Sequence, residues 1–311
     1  MADNIMTGRG TLKHVIIAEN DKGGSGKTTA AETLATGFLA ASKKVVVLDA
    51  DGGNHGFIRR SGTGSAIPIG WHSDAAAAED FIADHLTGAE IVVIDLGANF
   101  RASGAKVLNF VAELLFLAMN GGATILRCGV ASPNAAGTDV LMQAITAGLG
   151  KIADTVIIEN DVDGSGSFAA GLAENPTRRV RMGYIAPGLM ELRLRRVEPL
   201  IAVLESPSPR YHCATAWLAR HVLDVVSQPP FAEMVGEVGL ARLNILARDA
   251  PGPLRFTVPS VKLVRDDLLR ANEAALAAVR GLAICSEPNA WSAVLAYRNA
   301  EAAFRAAKLT P

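Results

Sequence analysis

An apolar run, HVIIAEN, passes directly into DKGGSGKTT and then into Thr28–Ser42, where apolar residues recur at helical spacing. Strand, glycine-rich turn and helix in that order constrain the chain more than any other feature. Gly23, Gly24 and Gly26 let the backbone curl so that its N–H groups converge at a helix N-terminus, where phosphates are held, and Ser25 lies in the same curl. Lys27 is placed to reach β- and γ-phosphate oxygens, the Thr28 hydroxyl to ligate Mg²⁺, and Thr29 to hold the α-phosphate.

From Lys13 onward, short β-branched runs alternate with longer Ala/Leu-rich segments, which predicts an α/β fold: a doubly wound, mostly parallel sheet. Expected strands are His14–Glu19, Val45–Asp49, Ile91–Leu96, Ala123–Cys128 and Thr155–Glu159, with a further short one at Gly183–Ile185. Expected helices are Thr28–Ser42, Glu79–Leu86, Gly104–Met119, Ala136–Leu149, Pro187–Leu204 and Tyr211–Val226. Two strands end on acids. VVVLDAD carries Asp49 and Asp51 on one side, so one carboxylate can hold Mg²⁺ through water and the other can position an attacking water. IVVIDLGAN ends in Asp95, a second Mg²⁺ candidate through water, followed by a tight turn at Gly97 and Ala98.

The strict pattern G-x-x-x-x-G-K-[ST] fails at Asp21, and Lys22 stands beside the failure. KGGSGKTT resembles the deviant Walker A loop of the ParA/MinD family of partition and septum-site ATPases. The resemblance covers roughly residues 13 to 227 and implies a P-loop NTPase fold, ATP with Mg²⁺ as cofactors, and a nucleotide-sandwiched homodimer. Lys22 would reach across that dimer to the partner's phosphates, with Lys22, Lys27 and Asp51 as catalytic residues and Asp95 as the Walker B carboxylate. Relatives of the partition type usually read D-x-D-P-Q-G-N where this chain reads DADGGNH, which keeps Asn54 but loses the Pro-Gln pair. The family also places a base-reading Asn near Asn160 and a base neighbour near Pro187. A plain turn built by Asn160 and Asp163 is the equal alternative. Arg178, Arg179 and Arg181, then Arg193, Arg195 and Arg196, lie near where partition ATPases carry nonspecific DNA contacts.

Net charge is −1, so any DNA binding must be local. The three cysteines show no C-x-x-C spacing and the six histidines no metal-binding pattern, which leaves a reducing cytoplasm, with nucleoid association if DNA is bound. No signal peptide or membrane span is read, and the final helical pattern is a poor match to a membrane-targeting tail. Pro229–Pro230 suggests a boundary, giving a tail at 1–12, an ATPase domain at 13–228 and a mostly helical extension at 229–311. The extension is expected to hold helices at Val264–Leu282 and Pro288–Leu309. The functional expectation is an ATP-driven, dimerising ATPase acting in plasmid or DNA partition or cargo positioning, with a stimulating partner protein. The alternative is an ATP-dependent ligase of the cobyric acid or dethiobiotin synthetase type.

Overall fold

A computed structural model of the protein describes residues 12–51, 54–70, 74–98, 105–133, 153–166, 168, 178–185, 189–190, 193, 196–206 and 212–248. Seven parallel strands form one sheet: β1 (His14–Glu19), β2 (Val45–Ala50), β3 (Ile67–Pro68), β4 (Ile91–Leu96), β5 (Thr124–Ala131), β6 (Asp154–Asn160) and β7 (Arg178–Met182). Their spatial order is β3-β2-β4-β1-β5-β6-β7. Parallel strands joined by crossovers are covered on both sides, which is why β4 reads IVVIDL and is buried at every residue.

Alternate strand residues feed two cores. On one face Ile16, Ala18, Val47, Val93, Leu126 and Ile158 share a cluster with α1 (Lys27–Ala40). The same cluster takes in α5 (Leu200–Glu205), α6 (His212–Val226) and α7 (Phe231–Leu246). On the other face Val15, Ile17, Leu48, Val92 and Ile94 pack against α4 (Ala105–Asn120) and against α3 (Ala78–Phe81), which runs on as a π-turn at Ile82–Leu86. A short α2 (Gly56–Ser61) follows β2.

Three expectations change. The added strand is β7 at Arg178–Met182, and Gly183–Ile185 follows it without strand structure. In RRVRM the three arginines are exposed while Val180 and Met182 are buried, so an edge strand was hidden inside a basic cluster. The helix expected over Pro187–Leu204 is not continuous: Arg196–Pro199 are non-helical and α5 starts after Pro199, whose ring disfavours a helical residue before it. Finally, α7 was not foreseen, although Phe231, Val235 and Leu243 lie in the same core as α1 and α6. The helices expected at Ala136–Leu149, Val264–Leu282 and Pro288–Leu309 lie outside the described residues.

The β7 edge is closed by a side chain. The Gln228 carbonyl oxygen accepts from the Arg181 amide at 2.9 Å, and its NH₂ donates to the Arg181 carbonyl at 2.8 Å, as a neighbouring strand would. The other edge, β3, has only two residues.

Candidate functional site

Register brings the acids together. Asp49 on β2 lies beside Asp95 on β4, and Asp95 beside Ala18 on β1, whose strand feeds the glycine-rich loop. The C-terminal ends of β1, β2 and β4 therefore meet in one crevice, the edge at which open α/β sheets bind ligands. A cleft of about 800 Å³ opens there, lined by Gly23, Lys27, Thr28, Asp51, Arg60 and Asn160, among others.

The loop is held from beneath. Asn20 donates to the Val130 carbonyl at 2.8 Å and accepts from the Lys22 amide at 2.8 Å, which ties the loop to β5. Asn160, buried at the end of β6, donates to the Ser25 carbonyl at 2.7 Å. Gly26 adopts φ +91°, and a Cβ there would stand 1.9 Å from the Asn160 side-chain nitrogen, so glycine is required on both counts. The Asn160 amide nitrogen is thus engaged in positioning the loop. Ser25 is buried, and Lys22 lies exposed on the loop's outer side.

Lys27, at the start of α1, is buried, and its ammonium donates to the Lys22 carbonyl at 3.0 Å. Burial lowers its pKa, opposed by the charges of Asp95, Asp51 and Asp21. Asp95 is 1% exposed, and neither carboxylate oxygen has a hydrogen-bond partner among the described residues. Burial pushes its carboxyl up to about 7; the nearby Thr28 hydroxyl and Lys27 oppose the rise, while Asp49 and Asp51 add to it. A buried, unpaired carboxylate beside a threonine hydroxyl at a glycine-rich loop is a donor set suited to Mg²⁺, a hard cation that takes oxygen ligands. Asp51 reaches the same place. A Cβ on Gly97 would meet its Oδ1 at 2.7 Å, and one on Gly56 would lie between it and the Thr28 hydroxyl.

Asp49 serves a different end. Its Oδ1 accepts from the Asp51 amide and its Oδ2 from the amides of Phe57 and Ile58, all at 3.1 Å, so a strand carboxylate caps α2. Burial raises its pKa, and the amides of Ile58 and Asp51 hold it back. Both oxygens are engaged in shaping the loop that carries Asn54 and α2.

Among the arginines, Arg193 is 2% exposed. It pairs with buried Glu32 and donates to the carbonyls of Arg60, Arg196 and Glu198. It has no surface to offer DNA, which corrects the expectation for that residue. Arg196 pairs with Glu198 at 2.5 Å. Arg178, Arg179 and Arg181 are exposed on β7, where Arg179 and Arg181 share Glu159 at 3.4 and 3.8 Å. Pro187 and Arg195 lie outside the described residues. Sequence reading passed over Arg59 and Arg60, which line the cleft from α2; their only sequence signal was their closeness to Asp51.

Residues 13–59 match a family model described as an AAA domain, the span that holds β1, the loop, α1, β2 and the first half of α2. Over that span the chain is similar to this family.

Solved structures similar to this chain include an ADP-bound nucleotide-binding protein from Archaeoglobus fulgidus, 21% identical over 60% of this chain and 88% of that one, TM-score 0.43. The septum site-determining protein MinD of Pyrococcus horikoshii, complexed with Mg-ADP, is 14% identical over 73% of this chain and 100% of that one, TM-score 0.46. MinD of the Aquifex aeolicus MinC:MinD complex is 13% identical over 69% and 93%, TM-score 0.45. No curated protein matches in sequence.

Proposed function

We propose that the protein binds ATP with Mg²⁺, dimerises in that state, and hydrolyses ATP to ADP and phosphate in order to position DNA or another cargo. The observation that carries this reading is the convergence of Lys27, Thr28, Asp51 and the unpaired Asp95 carboxylate on one glycine-rich loop. Loop amides and Lys27 hold the phosphates; Thr28, with Asp95 through water, holds Mg²⁺, while Asp49, first expected at the metal, fixes the loop beside it through the amides of Asp51, Phe57 and Ile58. Bound Mg²⁺ neutralises charge on the β- and γ-phosphates. Asp51 orients a water in line with the γ-phosphate and accepts its proton as the new P–O bond forms and the bond to the ADP oxygen breaks. Lys22, exposed at the loop's rim, reaches the phosphates of a second copy. Asn160 and Pro187 flank the base.

DNA contact falls on the Arg178, Arg179 and Arg181 edge, with Arg195 and Arg196 as further candidates, and a partner protein stimulates turnover. The protein works in the cytoplasm, on the nucleoid when DNA-bound. Among the described residues no helix is long and apolar enough to cross a membrane.

Sedimentation with Mg²⁺ and either ADP or a slowly hydrolysed ATP analogue tests the reading. The expected result is a dimer with the analogue only, lost in Lys22→Ala while nucleotide binding persists. A monomer under both conditions rejects the sandwich dimer. Duplex DNA binding over a salt series, steep with the analogue and flat with ADP, tests the arginine edge.

A further inference from the structure

Helix α2 is fixed at both ends. Asp49 receives the amides of Phe57 and Ile58 at its start. At its end Ser61 donates to Glu32 at 3.2 Å, and Arg193 donates to the Arg60 carbonyl at 3.5 Å. A six-residue helix held this way presents its side chains at set positions. Arg60 faces the cleft, half-buried, and its Nη1 donates to the Thr29 hydroxyl at 2.9 Å.

Arg60 also differs from most of the other arginines. Arg127 pairs with Glu19, Arg179 and Arg181 with Glu159, and Arg193 with Glu32. Arg196, Arg220 and Arg242 are likewise matched to carboxylates. Among the described residues no carboxylate pairs with Arg60, whose side chain bonds only a neutral hydroxyl. A guanidinium partly withdrawn from water without a counter-ion is unfavourable, and an anion in the cleft relieves that cost. Thr29 lies two residues beyond Lys27 and lines the same cleft as Lys27 and Arg60; its place in the glycine-rich pattern is the one expected to hold the α-phosphate.

We infer that Arg60 is a nucleotide-binding residue that grips the α-phosphate together with Thr29. This rests on the reading of the cleft as a nucleotide site and names a residue that the P-loop motif itself does not contain. The α-phosphate is common to di- and triphosphates, so the contribution of Arg60 is the same for both.

The test is equilibrium binding of a fluorescent ADP derivative to the full chain, displaced by ADP or by a slowly hydrolysed ATP analogue. Arg60→Gln is expected to weaken both by the same factor, about tenfold, the size of one charge-assisted contact. Arg60→Lys, which keeps the charge and loses the fork, is expected to fall between. Should Arg60→Gln fail to fold, the lysine variant decides: unchanged affinity for both nucleotides overturns the inference. So does a loss confined to the triphosphate, which would put Arg60 at the γ-phosphate. If the unaltered protein binds neither nucleotide, the functional reading falls and this inference with it; if it binds and Arg60→Gln binds equally well, only the role of Arg60 falls.

Discussion

At the scale of single residues, Asp95 carries the clearest thermodynamic signature. Burial pushes its carboxyl up to about 7 in the folded protein, against a value near 3.9 when unfolded. Between those values the folded state keeps a proton that the unfolded chain has released. Stability therefore falls as pH rises from about 4 to about 7, and the penalty is complete above that. Asp95→Asn abolishes it. Urea melts of the metal-free protein at pH 8 should show the variant more stable by ~2–4 kcal/mol, with the gap narrowing below pH 7 and closing near pH 4. Mg²⁺ needs the ionised carboxylate, so its affinity should drop below pH 7. Gly26→Ala makes a second prediction. A methyl group 1.9 Å from the Asn160 amide, on a backbone at φ +91°, forces the loop away from its anchor. Nucleotide binding should be lost in an equilibrium titration, and Asn160→Ala should restore little of it, because the backbone conformation still disfavours alanine.

At the scale of elements, the Glu32–Arg193 pair joins α1 to the segment before α5 and supports α2 through Ser61 and the Arg60 carbonyl. Glu32→Gln leaves a buried guanidinium without its counter-ion and should cost about 3–5 kcal/mol in denaturant melts. Glu32→Leu combined with Arg193→Met should recover most of that loss, because paired apolar side chains remove the charge along with its partner. None of this could be read from the sequence, where Arg193 looked like one cation of a surface cluster. What could be read were features that local chemistry dictates. β1 and β4 were found with their observed limits because a strand covered on both faces is apolar throughout. The glycine-rich loop and the acids at the ends of β2 and β4 were found because phosphate and metal chemistry admits few residue types. β7 escaped because an edge strand shows only half a hydrophobic pattern, and its other half was arginine. α2 and β3 are too short for any period to register. Arg60 escaped for a related reason: its place in the cleft depends on the contacts that Asp49 and Glu32 make with the two ends of α2, which no local pattern displays.

At the scale of the whole molecule, the chain beyond Pro229–Pro230 is tied to the sheet by α7. Phe231 is fully buried, and Val235 and Leu243 lie in the same core as Phe38 and Val226. A chain ended after Gln228 should lose its cooperative thermal transition and become sensitive to protease, since removing one fully buried Phe side chain alone costs about 3–5 kcal/mol. A chain ended after Arg248 should keep its transition, and circular-dichroism melts of the two would decide whether a domain of residues 13–228 stands by itself. The two sides of the sheet carry a different consequence. Parallel sheets invite growth by strand addition, the route to fibrils and swapped dimers. Here one flank is a two-residue strand, and the other has the backbone of Arg181 already taken up by the Gln228 amide. Among the described residues both flanks thus offer a strand little ladder to extend, which favours assembly through side chains and loops. Contacts of that kind can be made and released within a working cycle, whereas an extended sheet could not readily be undone.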